Sequence, residues 1–310
     1  MAALLDVILP VFLVIGFGYT AARGRLFSQD AVAGLMNFAQ NFAVPCLLFL
    51  AIWRIDLAAD INLALMLSFY IGAFAGFAFA FAGARWLFRR SLRDAIAIGF
   101  CGMFSNTVLL GLPITERAYG ADALNANYAI LSVHALIMYG FGVTVMELAG
   151  AGSNRLTGVL FKTAATMAHN PLLIGIMLGF LFNLTGAPLP TVAISALEML
   201  SSAALPAALF ALGGVLSRYR AEGDRLAIGW VALASLVVHP TVTWLLGTMV
   251  FNLEVPALRS AVLTAAMAPG VNTFLFANMY GAAKRVAASG VLLGTALSVI
   301  TVWIWLMILP

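Results

Sequence analysis

"NTVLLGLPITERAYG" occupies residues 106–120, and its reading decides the fold. An amide and a hydroxyl open it, an apolar run follows, and Pro113 arrives seven residues after Asn106, just before charge. Proline has no amide hydrogen and clashes with the preceding turn, while Gly111 lowers the cost of irregular backbone. Within a bilayer, a helix interrupted in this way is tolerated only against protein or a wet cavity. The stretch therefore predicts a broken membrane helix whose break, at Gly111–Pro113, faces something polar.

The surrounding chain supports the membrane setting. Of 310 residues, 63% are hydrophobic and only 9% charged, too few charges for the surface of a soluble domain. Mean hydropathy is +1.04. Apolar runs long enough to cross ~30 Å of hydrocarbon recur throughout. Ten are read, at residues 4–22, 31–53, 61–86, 95–115, 124–147, 170–186, 191–216, 226–249, 259–280 and 286–309. The first lacks a basic leader and carries Asp6 and Pro10, so it reads as a retained span rather than a signal peptide.

With ten spans both termini share one side of the membrane. The connections on the other side hold 13 of the 16 basic residues, leaving Arg54, Arg117 and Arg259 with the termini. Short-loop Lys/Arg excess marks the cytoplasm, so both termini are expected on the outer, periplasmic face of an inner membrane. Basic loops of this kind give a net charge of +4 without implying a nucleic-acid partner. Cys46 and Cys101 both fall in apolar segments and suggest neither a disulfide frame nor a metal site. No paired intramembrane acids, HExxH or Cys/His cluster is present, so neither catalytic nor metal-ligating residues are read and an enzyme is not expected.

A second stretch echoes the first. "APGVNTFLFANMYG" (268–281) again combines Pro, Asn-Thr and a closing Tyr-Gly, although Asn272 to Gly281 is 9 residues where Asn106 to Gly120 is 14. "AVPCLLFLAI" (43–52) likewise resembles "ALPAALFALG" (204–213). Spans two and four thus match spans seven and nine, an offset of five. An odd offset requires opposite insertion, so residues 1–150 and 170–310 are expected to form two inverted repeats joined by a short cytoplasmic linker, 151–169. Paired interrupted helices in such halves point to a midplane binding site. Each half-helix N-terminus offers free N–H groups and partial positive charge, which suits a carboxylate. Asn106, Thr107, Asn272 and Thr273 can add neutral donors. Asn41, one helical turn before Pro45, can line the facing wall or serve helix packing. His134, ionisable and mid-span, can contact substrate, take a proton or bond across a helix interface. For His239, before Pro240, a bond to a carbonyl freed by that proline is the expectation; Glu198 is expected to face water or a dimer interface.

At "NFAVPCLLF" (41–49), "NTVLLGLPI" (106–114), "NPLLIGIMLGFLFNLTGAPLP" (170–190), "LPAALFALGGVL" (205–216) and "AMAPGVNTFLFANMYG" (266–281), the chain resembles the auxin efflux carrier family. That family includes plant auxin exporters and bacterial permeases labelled malonate transporters. The resemblance implies an all-α fold of ten transmembrane helices in two inverted five-helix repeats, shared with bile acid:sodium symporters. It also implies a scaffold of helices 1, 2, 6 and 7 that usually forms a homodimer, and a transport domain of helices 3–5 and 8–10 that moves as an elevator. By position, Asn106 and Pro113 match the fourth-helix crossover, and Pro269 approximates the ninth. Tyr139, eight residues before Glu147, matches a tyrosine facing substrate, and His134 stands where the plant proteins carry glutamine. The long plant loop after helix five is absent, and span three has no interior Asp or Lys. The functional expectation is a secondary transporter of a small organic anion, malonate-like or auxin-like. The alternatives are a symporter coupled to H⁺ or Na⁺, a channel and a substrate-sensing receptor. Apart from a coupling ion no cofactor is implied.

Overall fold

The computed structural model describes residues 2–57, 62–150, 169–220, 222 and 224–310. The linker expected at 151–169, except His169, lies outside them, as do Arg155 and Lys162. Among the described residues the chain is helical, and its one β-type pairing is an isolated bridge. Seven helices are long and apolar enough to cross a membrane: Asp6–Arg23, Gln29–Arg54, Leu63–Leu87, Ala121–Gly150, Thr191–Leu216, Arg225–Val250 and Lys284–Ile308. The other apolar runs differ. Residues 170–186 form a helix of 15 residues, Pro171–Thr185, which at 1.5 Å per residue spans only about 22 Å. Runs 95–115 and 259–280 are each divided by non-helical backbone.

In chain order the helices are α1 (Ala2–Arg23), α2 (Gln29–Phe38), α3 (Val44–Arg54), α4 (Leu63–Ala82), α5 (Leu92–Met103), α6 (Leu112–Tyr119), α7 (Leu124–Gly150), α8 (Pro171–Thr185), α9 (Thr191–Leu216), α10 (Arg225–Leu233), α11 (His239–Leu245), α12 (Val255–Ala265), α13 (Val271–Tyr280) and α14 (Lys284–Ile308). Polar side chains set several of the starts by accepting from first-turn amides. Ser28 caps α2, Asn62 α4, Ser91 α5, Asn170 α8 and Asp224 α10.

Three prolines share one local solution. Five-residue π-helical turns, Ala39–Ala43, Thr107–Gly111 and Ala234–Val238, each end two residues before a proline: Pro45, Pro113 and Pro240. The wider turn shifts bonding to the carbonyl five residues back, as where Leu112 N–H donates to Thr107. The helix can then run on through a residue without an amide hydrogen. This corrects the expected break at Gly111–Pro113. Backbone there is continuous helix, and the true interruption lies upstream at Phe104–Asn106.

Packing divides the helices into two groups. Helices α1, α2, α3, α8 and α9 pack on one another, while α4 and α5 pack with α7 and with α10–α14. Polar contacts at the helix ends follow the same division. Arg54 pairs with Glu198 at 2.6 Å, both half-exposed, and Arg218 bonds Gln29 within the first group. In the second, Arg90 meets Asp224 at 2.8 Å and Asp94 accepts from the Ala283 amide at 2.7 Å. Arg117 on α6 reaches across instead, donating to the Asp6 and Val7 carbonyls of α1 at 2.9 and 3.0 Å.

Asp224 gives a pH-dependent prediction. Partial burial disfavours its charge, but the Ala227 and Leu226 amides together with Arg90 outweigh that and hold the carboxyl below its usual range. A carboxylate with a depressed folded-state value contributes stability above its unfolded value and loses it as pH falls through the folded one. Asp224→Asn, which keeps a capping oxygen but no charge, should therefore lower the melting temperature at pH 7. The gap from the parent protein should close below about pH 4 in melts of detergent-solubilised protein.

Candidate functional site

The two interruptions meet. Ser105 and Pro269 form an antiparallel bridge in which Asn106 N–H donates to Ala268 C=O at 2.8 Å and Gly270 N–H to Phe104 C=O at 2.9 Å. Two non-helical segments thus satisfy each other's backbone groups, as breaks inside hydrocarbon must. From the bridge, helix restarts on both chains. On one side Asn106 Oδ1 accepts from the Leu109 amide at 3.3 Å. On the other, Gly270 C=O accepts from the Thr273 amide and hydroxyl at 2.9 and 2.8 Å, and α13 has no side-chain cap. Val271 and Asn272, the opening residues of α13, line the space beside the bridge, and a helix leaves its first N–H groups without a partner in its own turn.

That space is a cavity of ≈ 50 Å³. By volume it holds only a few waters. Phe104–Leu109 and Gly270–Asn272 form one wall, with Gln40, Val44 and Leu172 opposite. Among the described residues, none that lines it is charged. Two polar groups there are buried without a partner, Ser105 Oγ and Asn106 Nδ2. An unmade hydrogen bond at a buried group costs about 1–3 kcal/mol, so these atoms mark a place built for a polar guest.

Asn106, Thr107 and Asn272 of the expected residues line the cavity, and Pro269 forms the bridge beneath it. The others lie elsewhere. Thr273 is buried and turned back onto Gly270. Pro113 lines a separate cavity of ≈ 500 Å³ between α1, α9 and α6, next to Glu116 and Arg117. Two helix starts and two unpartnered polar side chains converge on the smaller space. The larger one mixes apolar residues such as Val11, Leu205 and Leu209 with Glu116, Arg117, Tyr128, Ser201 and Ser202. Asn41 is exposed and bonds Asn37 on its own helix, leaving the facing wall to Gln40. His134 and Tyr139 stand one layer back, their rings 4.9 and 5.4 Å from that of Phe104. His239 meets the Phe69 carbonyl of α4, which belongs to another helix, rather than a carbonyl freed by Pro240. Ser105 was missed although it directly precedes Asn106, because the break was placed at the proline. No sequence signal singled out Gln40.

Known proteins share this chain end to end. The profile of a family described as "Membrane transport protein" matches residues 3–306. The "Putative malonate transporter" of Rhizobium meliloti (strain 1021) is 27% identical over 97% of this chain and 94% of its own length. "Auxin efflux carrier component 8" of Arabidopsis thaliana is 24% identical over 94% and 93%. An "Uncharacterized transporter" of Methanothermobacter thermautotrophicus is 25% identical over 85% and 86%. With a helical membrane-type chain, a paired break and a family match over nearly its whole length, the protein belongs to the membrane transport protein family, the auxin efflux carriers that its motifs resemble.

Proposed function

We propose that the protein is a secondary transporter of a small carboxylate, malonate-like in size, working by elevator-type alternating access in the inner membrane with both termini outside. The single observation that carries this reading is the paired break. Two helix starts and the unpartnered Asn106 Nδ2 and Ser105 Oγ converge on a cavity free of charged side chains. An anion there would be held by amide donors and helix dipoles rather than by a side-chain cation.

The same reading counts the two divided helices as single spans, giving ten in two inverted repeats. Antiparallel pairing at Ser105 and Pro269 supports it, since oppositely inserted halves bring their breaks together in that sense. The group of α1, α2, α3, α8 and α9 would be the scaffold, with a homodimer formed through it. The other group would carry the substrate. A cavity this small must open for a dicarboxylate to enter, as motion of one group against the other would allow.

Thermal stabilisation tests it. A ligand that binds only folded protein stabilises by about RT ln(1 + [L]/Kd). Malonate or another short carboxylate should raise the melting temperature of purified protein with a saturating dose response, and should show saturable, trans-stimulated flux in proteoliposomes. Failure of mono- and dicarboxylates, amino acids and indole-3-acetate alike to stabilise would overturn the anion reading. Stabilisation without flux would instead favour a sensor.

A further inference from the structure

Behind the cavity lies a second unusual feature. His134 on α7 and His239 at the start of α11 approach Phe69 of α4, with ring centroids 5.7 and 5.1 Å from its own. Both are buried; among the described residues neither ring nitrogen of His134 has a hydrogen-bond partner, and His239 has only the Phe69 carbonyl beside it. A histidine kept only for packing normally has at least one ring nitrogen tied down. His239 also follows directly on the Ala234–Val238 π turn, a distortion often found at functional positions.

We infer that His134 and His239 form one proton-binding site coupled to anion binding at the helix breaks. Phe104 connects the two places: it lines the cavity on one side and meets the His134 ring at 4.9 Å on the other. This rests on the carboxylate reading above. An anion entering a cavity without charged side chains leaves its charge uncompensated in low dielectric, and a proton one ring away supplies the balance. In turn, a buried imidazole accepts a proton more readily once an anion is near, so each ligand favours the other. The rings of Phe69, Tyr70 and Phe104 surround His134 at centroid distances of 5.7, 6.2 and 4.9 Å. Because two neighbouring cations repel, the pair takes up a single proton, which enters on a ring-nitrogen lone pair and leaves from it on the other side of the membrane.

No other group nearby takes this role. Tyr70 donates its hydroxyl to Ile130, Tyr139 packs on Phe104, and Cys101 and Thr264 bond to Thr273 and Asn127. Charges on the surrounding helices look elsewhere. Arg93 bonds the Tyr280 carbonyl and Asp94 the Ala283 amide, Glu147 reaches Tyr280, and Arg259 lies over Tyr119.

Proteoliposomes loaded with a pH-sensitive dye, at clamped voltage, provide the test. Malonate influx should acidify the lumen with about one proton per anion. His134→Gln and His239→Gln should each weaken malonate binding and slow its flux, and in the flux that remains the proton movement per malonate should fall at least ~10-fold. Malonate flux without acidification in the parent protein, or an unchanged proton ratio in both variants, would overturn the proposal. A spectroscopic measurement separates this from failure of the carboxylate reading. In ¹⁵N spectra of histidine-labelled protein in nanodiscs, the signals lost in the two variants should move together as pH falls, and at a higher pH once malonate is added. Signals that stay those of neutral tautomers with and without malonate, in protein that malonate stabilises thermally, would overturn the proton site.

Discussion

Asn106→Ala is expected to weaken malonate binding about 10- to 100-fold while leaving folded, membrane-inserted protein. A hydrogen bond to a charged group contributes roughly 1.5–3 kcal/mol, and each 1.4 kcal/mol is tenfold in affinity. Asn106 does two jobs, so the alanine variant alone is ambiguous. Its Oδ1 caps the Leu109 amide, and its Nδ2 is buried without a partner at the cavity. Asn106→Asp separates the two. A carboxylate keeps the capping oxygen and replaces the free donor with negative charge, so binding should fall further than in the alanine variant. Asn272→Ala, at a half-buried position on the same cavity, should show a smaller loss. Isothermal titration of purified protein reads all three. Unchanged affinity in both Asn106 variants would remove this side chain from the site.

The second large effect is on stability. Helices α1 and α9 cross with almost no space between their backbones. A Cβ on Gly213 would strike the backbone at Ile15 and Tyr19, and one on Gly18 would strike Phe210. Both obstacles are main chain, which no rotamer change can move aside. Overpacking a well-filled interior typically costs about 1–3 kcal/mol and more where backbone must shift. Gly213→Val should therefore abolish a monodisperse peak in fluorescence-detected size exclusion, and Gly213→Ala should lower the melting temperature. Gly16→Ala serves as the control, because nothing lies within 4 Å of its added methyl. That change should stay within about 0.5 kcal/mol of the parent. A normal peak for Gly213→Val would mean that the α1–α9 crossing is looser than the structure places it.

Much of this was legible in the chain. Long apolar runs announce membrane helices because only a chain that satisfies its own backbone can cross hydrocarbon. The combination of Pro with Asn-Thr, repeated near residues 106 and 269, announced two interrupted helices. What failed was register. Proline marks the break in a reading of the sequence, yet at Pro113 a π turn absorbs the missing amide and the helix continues. The same device misled the reading of Asn41. One helical turn before Pro45 falls on a common face only if the helix is regular. The turn at Ala39–Ala43 inserts an extra residue, about 100° of rotation, and Gln40 takes the place at the cavity.

By itself, then, the sequence determined an all-helical membrane chain with two polar interruptions, since hydrophobic length and local backbone chemistry are properties of short stretches. Only the tertiary structure decided that the interruptions pair, Ser105 with Pro269, and that Asn106 keeps a free donor there. It alone brought His134 and His239 to one phenylalanine ring. Residues more than a hundred positions apart meet through the packing of whole helices, and a single π turn rotates every side chain beyond it. No periodicity read along one segment contains that rotation.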